Sequence, residues 1–221
     1  NSSVTANQIT GCTVTHTNGY GGRGITVGTG AVSSNITIAN NFIAGVNGSN
    51  FSSFENSSSA GILIGVLGNG STLTTTTGGV NIYHNNVNMA GSYSYATACL
   101  TAGLYIGSGA SALDIRNNIL VNSMNNSNAS GTTSKNYAIY SAVANTAFSN
   151  INYNDYFVSG SQGVLGFIGS DLIDLAALTA AFGGNANSMN VNPQFVSATD
   201  LHINSGSSQT QLESGGVAIS G

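Results

Sequence analysis

A branched apolar residue followed three positions later by Asn recurs five times along the chain. The copies run from Val4 to Asn7, Ile38 to Asn41, Ile82 to Asn85, Ile115 to Asn118 and Ile151 to Asn154. Their first residues stand 34, 44, 33 and 36 positions apart, so the step varies while the local pattern holds. Two residues before the anchor lies another apolar side chain in three copies, at Ile36, Val80 and Leu113. Five residues after it come Ile9, Ile43, Val87, Leu120 and Tyr156. Alternation such as Val80-Asn81-Ile82 has the period of a strand that buries one face.

A second strand follows in each unit. It reads Gly24-Ile25-Thr26-Val27-Gly28, Gly61-Ile62-Leu63-Ile64-Gly65 and Gly103-Leu104-Tyr105-Ile106-Gly107, with looser copies at Tyr137-Ala138-Ile139-Tyr140 and Gly163-Val164-Leu165-Gly166. One such unit cannot bury its own apolar face, so units must stack and share a core. The expected fold is all-β: a parallel β-solenoid of five to six coils, about 25 Å long at a strand spacing of about 4.8 Å. Length variation falls at three fixed places, 46–60, 66–79 and 123–135, which read as loops bulging from turns. The anchor's Asn sits where the strand must bend. Asn accepts left-handed backbone and bonds to neighbouring backbone. Stacked coils would place Asn7, Asn41, Asn85, Asn118 and Asn154 over one another as an amide ladder.

After position 170 the pattern changes. Residues 171–182 (DLIDLAALTAAF) predict the one helix, with Ser170 or Asp171 as cap, Asp174 in the first turn and Gly183 at the end. A short strand is expected at Leu201-His202-Ile203. The whole chain, 1–221, reads as one domain: coils over 1–170, then a helix and closing segment over 171–221.

Composition narrows the partners. Charged residues are 5 % of the chain, against about 25 % in an average domain. With 41 % hydrophobic residues and a net charge of −4, the chain is not of the disordered type. A β-rich extracellular protein, secreted or at a cell surface, suits this balance. Arg23, Arg116 and Lys135 are the only basic residues besides histidine, which excludes a nucleic-acid partner held by phosphate neutralisation. No apolar run reaches the ~20 residues that insert across a bilayer. With no initiator Met and no signal peptide, the sequence reads as a processed chain or an excised segment. Cys12 and Cys99 read as free thiols ahead of a disulfide. No cysteine or histidine cluster has metal-ligand spacing, and no cofactor is expected.

The repeated I-x-x-N turn and the G-I-x-I-G strand resemble the right-handed parallel β-helix repeat proteins of the pectate-lyase-like superfamily. The tail, Asn-Ser-Met-Asn-Val-Asn-Pro-Gln-Phe-Val followed by Ala-Thr-Asp-Leu-His-Ile, is similar to the closing segment of bacterial secreted β-helix modules. The resemblance implies the fold across nearly the whole chain and leaves the activity open. Enzymes of the superfamily act on acidic polysaccharides through clustered Asp with Arg or Lys. Those motifs are missing here, so no catalytic residue is carried over.

Tyr83, Asp114, Arg116 and Asp155 lie near the stacked strand and are the weak candidates for sugar contact. Asp114 and Asp155 are not expected to be neighbours, as a general acid–base pair would require. His84 stands at a turn position held by Asn40 and Asn117 in other coils and reads as a turn substitute. In the second strand Leu63, Tyr105, Ile139 and Leu165 are expected to form an apolar stripe on an outward row. Either the 46–60 loop covers that stripe or a partner does. The favoured function is a structural or adhesive module that assembles with copies of itself or with neighbouring modules. The alternative is a polysaccharide lyase, glycoside hydrolase or carbohydrate-binding β-helix.

Overall fold

A computed structural model describes residues 1–15, 21–48, 59–65, 76–96, 98–128, 130, 133–204 and 211–219. Five coils follow one another. The first holds β1 (Ser2–Thr5), β2 (Gln8–Thr10), β3 (Thr13–Val14) and β4 (Arg23–Val27). The second holds β5 (Ile36–Ala39), β6 (Phe42–Ala44), β7 (Asn47–Gly48) and β8 (Ser59–Ile64). The third holds β9 (Thr77–Tyr83), β10 (Asn86–Tyr93) and β11 (Leu100–Ile106). The fourth holds β12 (Ala110–Arg116), β13 (Ile119–Asn126) and β14 (Lys135–Ser141), and the fifth β15 (Phe148–Asn152), β16 (Asp155–Val158) and β17 (Gly163–Ile168).

Equivalent strands stack in parallel into three large sheets, with β3 and β7 pairing as a two-stranded fourth. The first is β1-β5-β9-β12-β15 and the middle one β2-β6-β10-β13-β16. The third, β4-β8-β11-β14-β17, is closed by antiparallel β18 (Ser170–Leu172). The chain is thus a right-handed parallel β-solenoid. Ile38, Ile82, Ile115 and Ile151 from the first sheet meet Ile43, Val87, Leu120 and Tyr156 from the middle sheet and Ile62, Leu104 and Ile139 from the third in one interior cluster. The expected loops are shorter than the sequence reading made them. Strand β9 begins at Thr77 and β13 continues to Asn126, because the extended coils let both pair across their full length. Residues 49–58 and 66–75 of those loops, with Thr74, Thr75 and His16, lie outside the described residues.

Two bends shape each coil. Between the first and middle sheets one residue per coil turns left-handed: Ala6, Asn40, His84, Asn117 and Tyr153, with φ between 53 and 60°. The left-handed residue is therefore the one before the ladder Asn, a one-residue correction to the reading of the turn. The second bend lies in the third sheet. Regular pairing skips Gly24, Gly61 and Gly103, where the strand kinks inward. A Cβ on Gly61 would stand 2.3 Å from Val87 Cγ1, so only glycine admits the branched side chain pressing from the middle sheet.

The C-terminal part closes one end and one flank. Helix α1 (Leu175–Phe182) is shorter than expected, because Ser170–Leu172 pairs as a strand. Asp174 caps it through a bond from the Ala177 amide (2.8 Å), and Gly183 ends it at φ 69°. Its buried Leu178 and Phe182 cover the core beyond the fifth coil. The following segment returns along the outside of the middle sheet. Asn86 Nδ2 donates to the Leu201 carbonyl (2.8 Å), Asn88 Nδ2 to that of Ala198 (3.1 Å), and His202 packs edge-on against Phe42. The expected strand at 201–203 is a single antiparallel bridge between Phe195 and Ile203.

Candidate functional site

The ladder is continuous. Each Nδ2 donates to the next coil's Oδ1: Asn7 to Asn41 (2.9 Å), Asn41 to Asn85 (2.8 Å), Asn85 to Asn118 (2.9 Å) and Asn118 to Asn154 (2.9 Å). From Asn41 onward the second Nδ2 hydrogen goes back to the preceding coil's anchor carbonyl, Val4, Ile38, Ile82 or Ile115, each at 2.9 Å. Each Oδ1 from Asn41 to Asn154 also accepts the backbone N–H of the preceding rung. Interior rungs thus saturate both donors and both acceptor positions, as buried amides require. Ser188 Oγ ends the series by accepting the Asn154 amide (3.0 Å). A second buried network, missed in the sequence, links Asn122 Nδ2 to Thr101 Oγ1 (2.9 Å) and Thr101 Oγ1 to Asn136 Oδ1 (2.7 Å). Its members recur at no common offset, so the repeat carries no signal for it.

Three of the four sugar-contact candidates come together. In-register pairing sets Tyr83 beside Arg116 on the outward face of β9 and β12. Arg116 grips Asp114 with two bonds (Nε 2.7 Å, Nη2 2.6 Å), and Tyr83 Oη donates to Asp114 Oδ2 (2.7 Å). The guanidinium carbon lies 5.1 Å from the Tyr83 ring centre. The bond to Asp114 raises the Arg116 pKa, and burial together with the Asp114 bond raises that of Tyr83. Each polar head in this trio is already matched by another, so it reads as a surface clamp between two coils.

Asp155 stands apart, on the middle sheet. It is 1 % exposed, and burial pushes its carboxyl up to about 7. Oδ1 accepts the Val191 amide (2.9 Å), while Oδ2 is buried with no hydrogen-bond partner. It helps line a cleft of about 160 Å³ between the left-handed corner and the returning C-terminal segment. His84, Asn117 and Tyr153, three members of the left-handed row, share that cleft with Asn187, Met189 and Leu212. The row itself is legible two residues after each anchor; the segment that roofs it is not.

The apolar stripe is corrected in register and in exposure. Thr26 pairs with Leu63, Leu63 with Tyr105, Tyr105 with Tyr140 and Tyr140 with Phe167. Ile139 and Leu165 face the interior instead. The row shifts because Ala138 and Leu165 occupy the bend that glycine marks in the earlier coils. Tyr140 stacks between Tyr105 (4.8 Å) and Phe167 (4.6 Å). Leu63, Tyr105 and Tyr140 are 1, 2 and 2 % exposed, so these three form a buried outer cluster and not a free surface.

Cys12 and Cys99 are thiols and not a disulfide pair, and burial pushes the Cys99 thiol up to about 12. Among the described residues no group of three or more His, Cys, Asp or Glu could hold a metal ion, and no helix is long and apolar enough to cross a membrane. The chain matches no protein family, no curated protein and no solved structure. Its own geometry identifies it as a parallel β-solenoid with an internal Asn ladder, capped at its C-terminal end by a helix.

Proposed function

We propose that the chain is a structural module of an extracellular or cell-surface protein, serving as a rigid rod that joins in line to a neighbouring β-coil. The single observation that carries this is the open first coil. Strands β1, β2 and β4 are each outermost in their sheets, and Asn7 Oδ1, unlike the later rungs, accepts no hydrogen bond among the described residues. An unpaired strand edge is a template for another strand, and solenoid ends need covering. A preceding coil with Asn at the same offset would pair with these strands and donate to Asn7. Kinship with the β-helix repeat modules of bacterial secreted and surface proteins, within the pectate-lyase-like superfamily, is part of this reading. It is supported by the coil geometry and the ladder.

The clamped state of Asp114 and the placement of Asp155 on a different sheet favour this reading over a lyase or hydrolase, which needs convergent carboxylates. Electron microscopy of the full protein tests it. Rods in which this module lies in line, broken at the junction by Asn7→Lys, are the expected result. Compact particles that release unsaturated sugars from a polysaccharide panel would overturn it.

A further inference from the structure

We infer that Arg23 selects the coil that joins the first one: the neighbour carries an aspartate or glutamate in register with Arg23, on the outward face of its own third sheet. This rests on the reading of the first coil as a junction and adds the chemistry of the partner.

Arg23 opens β4, the outermost strand of the third sheet. Strand register sets it in one row with Ala60, Ala102, Tyr137 and Val164. Ala60, Ala102 and Tyr137 belong to the buried outer cluster, so Arg23 stands at the N-terminal end of that row. The residue is only partly exposed, and its Nε is buried with no hydrogen-bond partner. Burial lowers its pKa, with Tyr105 acting in the opposite sense.

The chain has three Arg and Lys residues. Arg116 is bonded to Asp114, and Lys135 is paired with Asp171. Among the described residues Arg23 is the one arginine or lysine without an acid. The Lys135 pair is the precedent. It lies on the same sheet toward the opposite end, and its acid comes from β18, the strand that closes that edge. At the first coil the cation stands on the outermost strand, and a joining strand would bring the acid.

A strand paired with β4 sets a side chain about 4.8 Å from Arg23. It also covers a charge that is already partly withdrawn from water. An apolar residue there deepens an uncompensated burial, and a second cation adds repulsion. A carboxylate accepts from the guanidinium in the two-pronged geometry that suits arginine. The fifth coil of a second copy offers Val164 in this row, which has no charge to give. The row therefore separates a matched neighbour from another copy of the chain.

A chain extended by a duplicate of residues 80–112 ahead of Ser2, in the register set by Ser2, Ile36 and Val80, tests the inference. That stretch contains no Asp, Glu, Lys or Arg, and its Ala102 falls in register with Arg23. Two versions carry Ala102→Asp or Ala102→Lys in the added copy alone. Hydrogen exchange at the β4 amides facing the junction reads docking of the added coil. Protection with Asp should exceed that with Lys about tenfold, and the ratio should fall to about one in an Arg23→Gln background. The copy with Ala102 unchanged should lie between the two, which keeps the test decisive if Arg23→Gln does not fold. Equal or reversed protection by the Asp and Lys copies, above that of the unextended chain, overturns the inference and leaves the junction standing. A ratio that survives Arg23→Gln overturns the assignment to Arg23. No protection by any copy overturns the inference and the junction together.

Discussion

Removing one internal rung of the ladder should cost far more than removing its first. Asn85 is fully buried. Its Nδ2 donates to Asn118 Oδ1 and to the Ile38 carbonyl, and its Oδ1 accepts both the amide N–H (3.2 Å) and Nδ2 (2.8 Å) of Asn41. Asn85→Ala deletes all four bonds and strands two donors of Asn41 away from water. At about 1 kcal/mol net per bond, with an added penalty for buried donors left unmatched, the loss is about 3–5 kcal/mol. Asn7 is exposed, so water replaces what Asn7→Ala removes, and about 1 kcal/mol is expected. Equilibrium urea unfolding followed by circular dichroism measures both variants against the wild type. Because a solenoid can unfold in parts, the comparison requires equal m-values. A loss at Asn85 no larger than that at Asn7 would refute the ladder as a source of stability.

Asp155→Asn should make the protein less sensitive to pH. The folded carboxyl titrates near 7 against 3.8 unperturbed, so its contribution is fully present below pH 3.8 and is lost as pH rises to about 7. The wild type should lose at most about 4 kcal/mol across that window through this group, read from urea midpoints, and the variant almost none of it. Ala6→Gly should raise stability by about 1 kcal/mol in the same assay, since Ala6 sits at φ 57° on the surface. Gly61→Ala should lower it by about 1–3 kcal/mol through overpacking; Val87→Ala should restore only part, because the new Cβ also meets the Gly103 carbonyl at 2.7 Å. Placing a duplicate of residues 80–112 ahead of Ser2, in the register set by Ser2, Ile36 and Val80, should make Asn7→Ala cost about 3 kcal/mol as that rung becomes internal. An unchanged cost would show that no ladder forms across the junction.

The sequence made the coil visible because its signals are local and repeated. The anchor and the ladder Asn hold one offset through every insertion, and the stacked register follows from that. Asn40-Asn41 and Asn117-Asn118 obscured which residue bends and which bonds, since either Asn suits either task. Copies with Ala6, His84 or Tyr153 at the first position separate the two roles. The third sheet was harder to align. Where glycine marks the bend, at Gly24, Gly61 and Gly103, the row reads correctly; where Ala138 and Leu165 replace it, the row slipped. The cleft beside Asp155 was not legible at all. Its roof is tied down by contacts such as Asn117 to Val217, 100 residues apart, between segments that share no period. Asp155 was visible as a carboxylate near the turn, but its burial is a property of the segment laid over it.

The direction of the ladder restricts what can join the first coil. From Asn7 to Asn118 each side-chain amide donates one N–H to the rung on its C-terminal side, and from Asn41 to Asn154 each side-chain oxygen accepts from the rung on its N-terminal side. The open position at Asn7 is therefore an acceptor, and its partner must present a donor from a coil of the same polarity. Two copies meeting through their first coils would set acceptor against acceptor at the ladder. A copy stacking by its last coil is blocked as well. There Ser188 and Asn185 end the ladder, and Leu178 and Phe182 of α1 seal the core. A coil whose own C-terminal edge is open satisfies both conditions, so a neighbouring module fits this junction better than an identical, helix-capped copy. The ladder would therefore make the proposed joint directional, because the first coil offers an acceptor while α1 covers the core beyond the fifth coil.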